Sequence, residues 1–194
     1  NNLVAYSQML DRFVSVESRG EARLVKALDQ CGIVDAFAEQ AIKIPYEIDN
    51  SMKSYIPDCV IQTVEGLVYG IEIKARIQLA DRVVQTKARA AATFLGQRGI
   101  GYCLVDSNGC SAEELLTLEV DEALKSFLRG QLRKAGVVRL RDLYRYFVDQ
   151  PRFELIDQIQ CLVLKHNLDY RTWLTPSPTN RMGYKFDFEL RLAS

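Results

Sequence analysis

Asp58, Glu72 and Lys74 are the residues whose types and spacing point to chemistry in this chain. Glu72 and Lys74 lie two apart in Ile71–Glu72–Ile73–Lys74. Side chains alternate across a strand, so the acid and the ammonium face one side while the isoleucines face the other. Residues 55–64 and 67–73 read as two strands joined by a turn at Glu65–Gly66. That hairpin sets Asp58, just after Pro57, roughly opposite Glu72 and Lys74. Two carboxylates and an ammonium meeting on one patch suit phosphodiester hydrolysis. Asp and Glu are hard oxygen ligands that can hold Mg²⁺, with Mn²⁺ as a substitute, while leaving waters on the ion. Such an ion polarises a phosphoryl oxygen and lowers the pKa of a bound water. Lys74 can orient or deprotonate that water, or balance charge developing on the phosphate. A lone Glu-x-Lys triplet is equally well an ordinary solvent-facing strand edge. What singles this one out is Tyr55–Ile56–Pro57–Asp58, 13 intervening residues, and then Glu72-x-Lys74.

The elements that must carry these residues follow from local signals. Residues 18–30 read as a helix, because Ser18 followed by Glu21 is a capping box and Ala22, Val25, Ala27 and Leu28 form an apolar stripe. Residues 41–47 look like an edge strand, since Pro45 cannot donate to a ladder, and Asp49–Asn50–Ser51 is a turn. After the hairpin, the Ala-rich residues 79–97 predict a helix closed by Arg98–Gly99, and residues 100–105 a short buried strand. This order predicts an α/β domain over residues 1–110, a mixed sheet flanked by helices. The boundary is expected within residues 107–120. Residues 111–194 form a second domain, with helices at 121–135, 140–147 and 153–167 and a hairpin with arms at 168–173 and 183–190. Three helices followed by a hairpin is the winged-helix order.

Composition narrows the classes. The chain has 194 residues, 48% hydrophobic and 26% charged, which is ordinary globular composition. No apolar run approaches the ~20 residues of a membrane span, and the opening NNLVAYSQML lacks the basic-then-apolar order of a signal peptide. Five scattered cysteines without a CxxC pair, and the single His166, exclude a clustered zinc site and a histidine-based triad. The cysteines read as reduced, buried thiols of a cytoplasmic protein. Net charge is zero, with 25 basic and 25 acidic residues, which argues against strong autonomous DNA binding. The charge is uneven, however. Lys74, Arg76, Arg82, Lys87, Arg89 and Arg98 face the single Asp81 in their stretch, whereas five acids and no base lie between Glu113 and Glu122. Arg76, Arg82, Lys87 and Arg89 are therefore candidate DNA contacts, or else a solvated helix surface.

These motifs resemble the PD-(D/E)xK superfamily of restriction-endonuclease-like folds, and more narrowly its TnsA family, the endonuclease subunits of heteromeric cut-and-paste transposases. Ser18–Arg19–Gly20–Glu21, Phe37–Ala38–Glu39–Gln40 and Gln97–Arg98–Gly99–Ile100 extend the likeness over residues 16–106. Ala41 departs from the proline expected after Gln40, and Glu72 stands where some relatives carry glutamine. The resemblance implies that Asp58, Glu72 and Lys74 are catalytic, and that Glu21 completes a metal set of Glu21, Asp58 and Glu72. Capping by Ser18 is the competing role for Glu21, and Glu17 is a substitute candidate. It further implies bacterial origin, cleavage at the 5′ ends of a transposon, a DDE-type transposase partner, and an AAA+ ATPase regulator contacting the C-terminal domain. A restriction enzyme or junction resolvase of the same fold is an alternative, as is an inactive binding module, although the intact set of three charges argues against decay.

The second domain offers little to a DNA groove. Residues 153–167 carry Glu154 and Asp157 among Leu155, Ile156, Ile159 and Leu162. An acidic, apolar third helix suits core packing and a protein partner better than base reading. Arg171, Arg181, Lys185 and Arg191 in the hairpin keep phosphate contacts open, and Trp173 reads as a packing aromatic.

Overall fold

The structure, a computed structural model, describes residues 3–179 and 184–193. The chain divides into two compact units, residues 1–76 with 85–111 and residues 77–84 with 112–194. The expected division at 110 placed residues 77–84 with the first unit; they fold with the second. No helix among the described residues is long and apolar enough to cross a membrane.

The first unit is built on a mixed four-stranded sheet, which fits a restriction-endonuclease-like fold. Its strands are β3 (Val34–Glu39), β6 (Cys59–Thr63), β7 (Val68–Ile73) and β8 (Gly101–Val105), in the order β3-β6-β7-β8. β7 and β8 are parallel and the other pairs antiparallel. Two hairpins flank the sheet: β1 (Leu3–Ser7) with β2 (Arg12–Val16), and β4 (Ile44–Ile48) with β5 (Ser51–Tyr55). β4 turns into β5 through Asp49 and Asn50, whose φ angles of 50° and 56° match a tight turn with the twist of its strands. The long strand expected over residues 55–64 is thus two strands in two sheets, broken at Ile56–Pro57–Asp58. Pro57 supplies no N–H to a ladder, so the pairing changes partner there.

Helix α1 (Arg19–Gln30) begins at Ser18, whose hydroxyl accepts from the Glu21 amide. Helix α2 (Arg82–Gly96) starts three residues later than expected. Buried Asp81 caps it, accepting from the amides of Val83 and Val84 at 2.8 and 3.3 Å. The two helices cover opposite sheet faces. A Cβ on Gly70 would meet Leu95 Cδ1 of α2 at 2.8 Å, and one on Gly20 of α1 would meet Ile73 Cγ2 at 3.1 Å. Gly70 and Ile73 lie on opposite faces of β7 by alternation. Val14, Val25, Leu28 and Phe37 form the core under α1, while Ile44, Tyr46, Tyr55 and Leu95 form the core under α2.

The second unit contains α3 (Ala112–Leu116), α4 (Glu122–Ala135), β9 (Val137–Arg139), α5 (Leu140–Tyr146), α6 (Arg152–His166), β10 (Asp169–Pro176) and β11 (Tyr184–Arg191). α3 and β9 were not expected. The strands form an antiparallel sheet in the order β10-β11-β9. Leu155, Ile159, Leu162 and Val163 place α6 in the unit's core. Asp81 also belongs here: its Oδ2 accepts from the amide and hydroxyl of Thr172, both at 2.8 Å. The acid counted against the basic stretch is therefore a buried structural group. Trp173 is 38% exposed rather than packed. Arg171 pairs with Asp169 and Arg191 with Glu189. Arg181 and the expected strand start at residue 183 lie outside the described residues.

Candidate active site

Register brings Asp58 to Glu72. Cys59 pairs with Ile71 across β6 and β7, so Asp58, one residue before Cys59, stands level with Glu72, one residue after Ile71. Asp58 sits in the connection ahead of β6 rather than within a strand, and its Oδ2 accepts from the Ile73 amide at 2.8 Å. Lys74 extends the parallel ladder by one bond, its amide donating to the Val105 carbonyl at 3.0 Å. Alternation then puts Glu72 and Lys74 on the α2 face, where the Lys74 ammonium and Glu72 Oε1 are 2.5 Å apart.

The electrostatics of this trio are unusual for a structural ion pair. Glu72 is only 4% exposed, and its second oxygen, Oε2, is buried with no hydrogen-bond partner. A buried carboxylate oxygen left without a donor is disfavoured by about 1–3 kcal/mol or more. Burial and the neighbouring Glu72 push the Asp58 carboxyl up to about 6, against the Ile73 amide and Lys74, which favour its ionised form; Glu21 adds to the rise. Burial works against the Lys74 ammonium, but Glu72, Asp58 and Glu21 hold it above the ordinary lysine value. The patch is short of positive charge: two acids share one ammonium, and a third acid is near enough to be felt by both Asp58 and Lys74.

That third acid, Glu21, has two attachments. Its Oε2 accepts from the Glu17 amide at 2.8 Å and its Oε1 from the Ser18 hydroxyl at 2.9 Å, so the capping role is real. Glu21 also lines, with Asp58 and Glu39, a narrow cavity of about 20 Å³, room for about one water-sized occupant. Glu39 is satisfied by Arg12 at 2.7 and 2.8 Å. Glu17 contributes its backbone amide to the cap. Among the described residues no group of three His, Cys, Asp or Glu side chains converges to hold one ion. The structure therefore brings Asp58, Glu72 and Lys74 together and leaves Glu21 beside them, turned to its cap. The donors nonetheless suit Mg²⁺, because two hard carboxylates stand adjacent and one offers an unpartnered oxygen.

The expected DNA contacts separate. Arg76, 35% exposed at its side chain, reaches buried Asp106 at 3.3 Å, and Asp106 also accepts from the amides of Asn108 and Cys110. Arg76 is therefore tied to the end of β8. Arg82 folds with the second unit. Arg89 is exposed. Lys87 is held over two rings, 5.3 Å from the centre of Tyr55 and 5.7 Å from that of Tyr46. The cysteines are free as expected, but only Cys59 and Cys161 are buried, and Cys103 is exposed.

Two further residues stand near the site. Tyr55 and Tyr102 are hydrogen-bonded to each other, and both feel the charges of Glu72 and Asp58. The Tyr55 hydroxyl donates to the Lys87 carbonyl at 3.1 Å. Burial pushes both hydroxyls well above the ordinary tyrosine value, so they serve as neutral supports rather than bases. Their one hint in the sequence is Tyr55 itself, which opens the Tyr55–Ile56–Pro57–Asp58 run.

No curated protein matches the chain. Residues 32–107 match the family model described as TnsA-like endonuclease N terminal, a span that carries Asp58, Glu72 and Lys74 but not Glu21. On that match this part of the chain is assigned to the TnsA-like endonuclease family.

Proposed function

We propose that the chain is a metal-dependent DNA endonuclease subunit of a heteromeric cut-and-paste transposase, hydrolysing phosphodiester bonds at the 5′ ends of the element. The observation that carries this is Glu72 Oε2, buried and without a donor beside Asp58 and Lys74. A divalent cation held with Asp58 would satisfy that oxygen. Asp58 and Glu72 would hold Mg²⁺, or Mn²⁺ in its place, and the ion would supply Lewis-acid charge against the scissile phosphate. Glu21, which lines a cavity with Asp58, would be the third ligand if it released one of its two capping bonds.

The protein's own groups do the rest. Lys74, fixed by Glu72, points its ammonium at the patch where the phosphate must lie, orienting the attacking water and offsetting charge on the phosphoryl oxygens. Water adds to phosphorus as the bond to the leaving oxygen breaks; the water's proton passes to solvent, and the Lys74 ammonium, held charged by Glu72 and Asp58, can donate to the departing oxygen. Tyr55 and Tyr102 brace β5, β8 and α2 behind the carboxylates, so the donors are held in place before substrate arrives.

The second unit supports the subunit reading. We read its order, helix, strand, two helices and two strands after α3, as a winged helix; the helix that would then read DNA is α6, whose apolar side chains fill the core. A DDE-type transposase and an AAA+ ATPase are the partners this reading assigns. The test is cleavage of end-labelled transposon-end duplex in Mg²⁺ by the full chain, alone and with both partners. Partner-dependent nicking at the 5′ ends is expected. Efficient site-specific cutting by the chain alone would instead mark a self-sufficient nuclease.

A further inference from the structure

The second unit carries a groove that this chemistry leaves unused. It encloses about 290 Å³ over a floor of Leu128, Leu132, Leu162, Leu168 and Leu192. Lys125, Arg129, Arg133 and His166 stand along its rim. A neighbouring cavity of about 480 Å³ shares Lys125, Leu162 and His166 and adds Leu118, Val120 and Lys165, with Glu119 as its acid. The pattern follows from helix geometry. Positions 125, 128, 129, 132 and 133 are one stripe of α4, with leucines turned down and cations one position further round.

Three features mark this as a surface awaiting a partner rather than a solvated face. Leu192 is 61% exposed at the groove, an apolar side chain left in water. Arg129 and Arg133 are exposed and make no ion pair among the described residues. Arg129 and Arg133, beside a Lys125 that pairs with Glu122 at 2.6 Å, edge a leucine floor, the inverse of an amphipathic helix that carries acids beside its apolar stripe.

We propose that the groove binds an acidic amphipathic helix from a partner protein. Its leucine-type residues at i, i+3 or i+4 and i+7 would cover the floor, and its Asp and Glu would meet Arg129 and Arg133. Duplex DNA fits less well, because phosphates could engage the rim but would leave the exposed Leu192 and the half-buried Leu168 uncovered beside the buried floor of Leu128, Leu132 and Leu162. The inference rests on the second unit being a docking module and adds the site and the chemistry of what docks.

The test uses the full chain and a fluorescent synthetic helix with leucines at that spacing flanked by glutamates. A counterpart with lysines in place of the glutamates, and a labelled duplex, serve as controls. Saturable binding of the acidic helix is expected, weakened by salt. It should fall at least about tenfold in Arg129→Glu with Arg133→Glu, and similarly in Leu192→Asp. All three side chains are exposed, and unchanged melting confirms folding; should Leu192→Asp melt early, Leu192→Ser gives the same reading. Absence of binding, equal binding of the basic helix, or full affinity in the variants overturns the proposal. So does duplex binding that is lost in the same variants, which would make the rim a nucleic-acid surface. No cleavage step enters the assay, so its failure and that of the nuclease reading are separable.

Discussion

Replacing Asp58 by asparagine is expected to stabilise the protein at neutral pH while removing nuclease activity. The Asp58 carboxyl is raised from 3.8 to about 6. At about 1.4 kcal/mol per pH unit, that difference is worth about 3 kcal/mol as an upper limit. The sign follows from linkage. A carboxyl raised in the folded state contributes its stability fully below about pH 4 and loses it as pH rises through 6, because ionisation in the folded protein is the disfavoured event. Asparagine does not ionise and can still accept from the Ile73 amide. Thermal unfolding in EDTA should therefore show the Asp58→Asn protein level with the wild type at pH 4. It should melt higher at pH 8, by about 2–4 °C for each kcal/mol realised. Adding Mg²⁺ should raise the wild type and leave the variant unmoved. If Asp58→Asn melts lower than the wild type at pH 8, the carboxylate is a structural ion-pair member and the charge-deficient site described above is wrong.

Further outcomes follow from the same geometry. Glu72→Gln should abolish the stabilisation that Mg²⁺ gives the wild type, about 2.7 kcal/mol at a hundred times Kd; retained stabilisation in the variant would place the ion elsewhere. Because a proton on Asp58 competes with metal, Mn²⁺ affinity by calorimetry should drop about tenfold between pH 7.5 and pH 5, with the midpoint near 6; a flat profile would contradict Asp58 as a ligand. Glu21→Gln should weaken Mn²⁺ binding more than it lowers the melting temperature, since the amide preserves the reach to the Glu17 backbone; the reverse order would make Glu21 a cap alone. Lys87→Gln should reduce the slope of log affinity for duplex against log salt by about 0.9, one phosphate contact, and an unchanged slope would make Lys87 a packing residue between its two tyrosines.

The site was legible where chemistry and periodicity coincide locally. Alternation at Ile71–Glu72–Ile73–Lys74 and the turn at Glu65–Gly66 fix which side chains share a face, and the observed register, Cys59 against Ile71, carries Asp58 to Glu72. The cap at Ser18 was legible for the same reason: donor and acceptor are three residues apart. What escaped depends on partners remote in sequence. Residues 3–16 form a hairpin without glycine or proline at its turn, closed by Asp29, which accepts from the Ser7 hydroxyl and the Gln8 and Met9 amides. Asp81 reads as a surface acid until Thr172 is placed against it. Arg76 reads as a free cation until Asp106 is placed at the end of β8. Pro57 lies inside the run read as one strand over residues 55–64, and local pattern alone does not say that the chain changes sheets there.

The central claim is that Asp58, Glu72 and Lys74 form one hydrolytic centre. Single-turnover cleavage of transposon-end duplex, with Mg²⁺ and the partner transposase present, tests it most directly when wild type is compared with Asp58→Asn, Glu72→Gln and Lys74→Ala, each shown to be folded. Nicking by the wild type, falling by at least about a hundredfold in every variant, is the predicted result. Wild-type rates in any of the three folded variants would contradict the account.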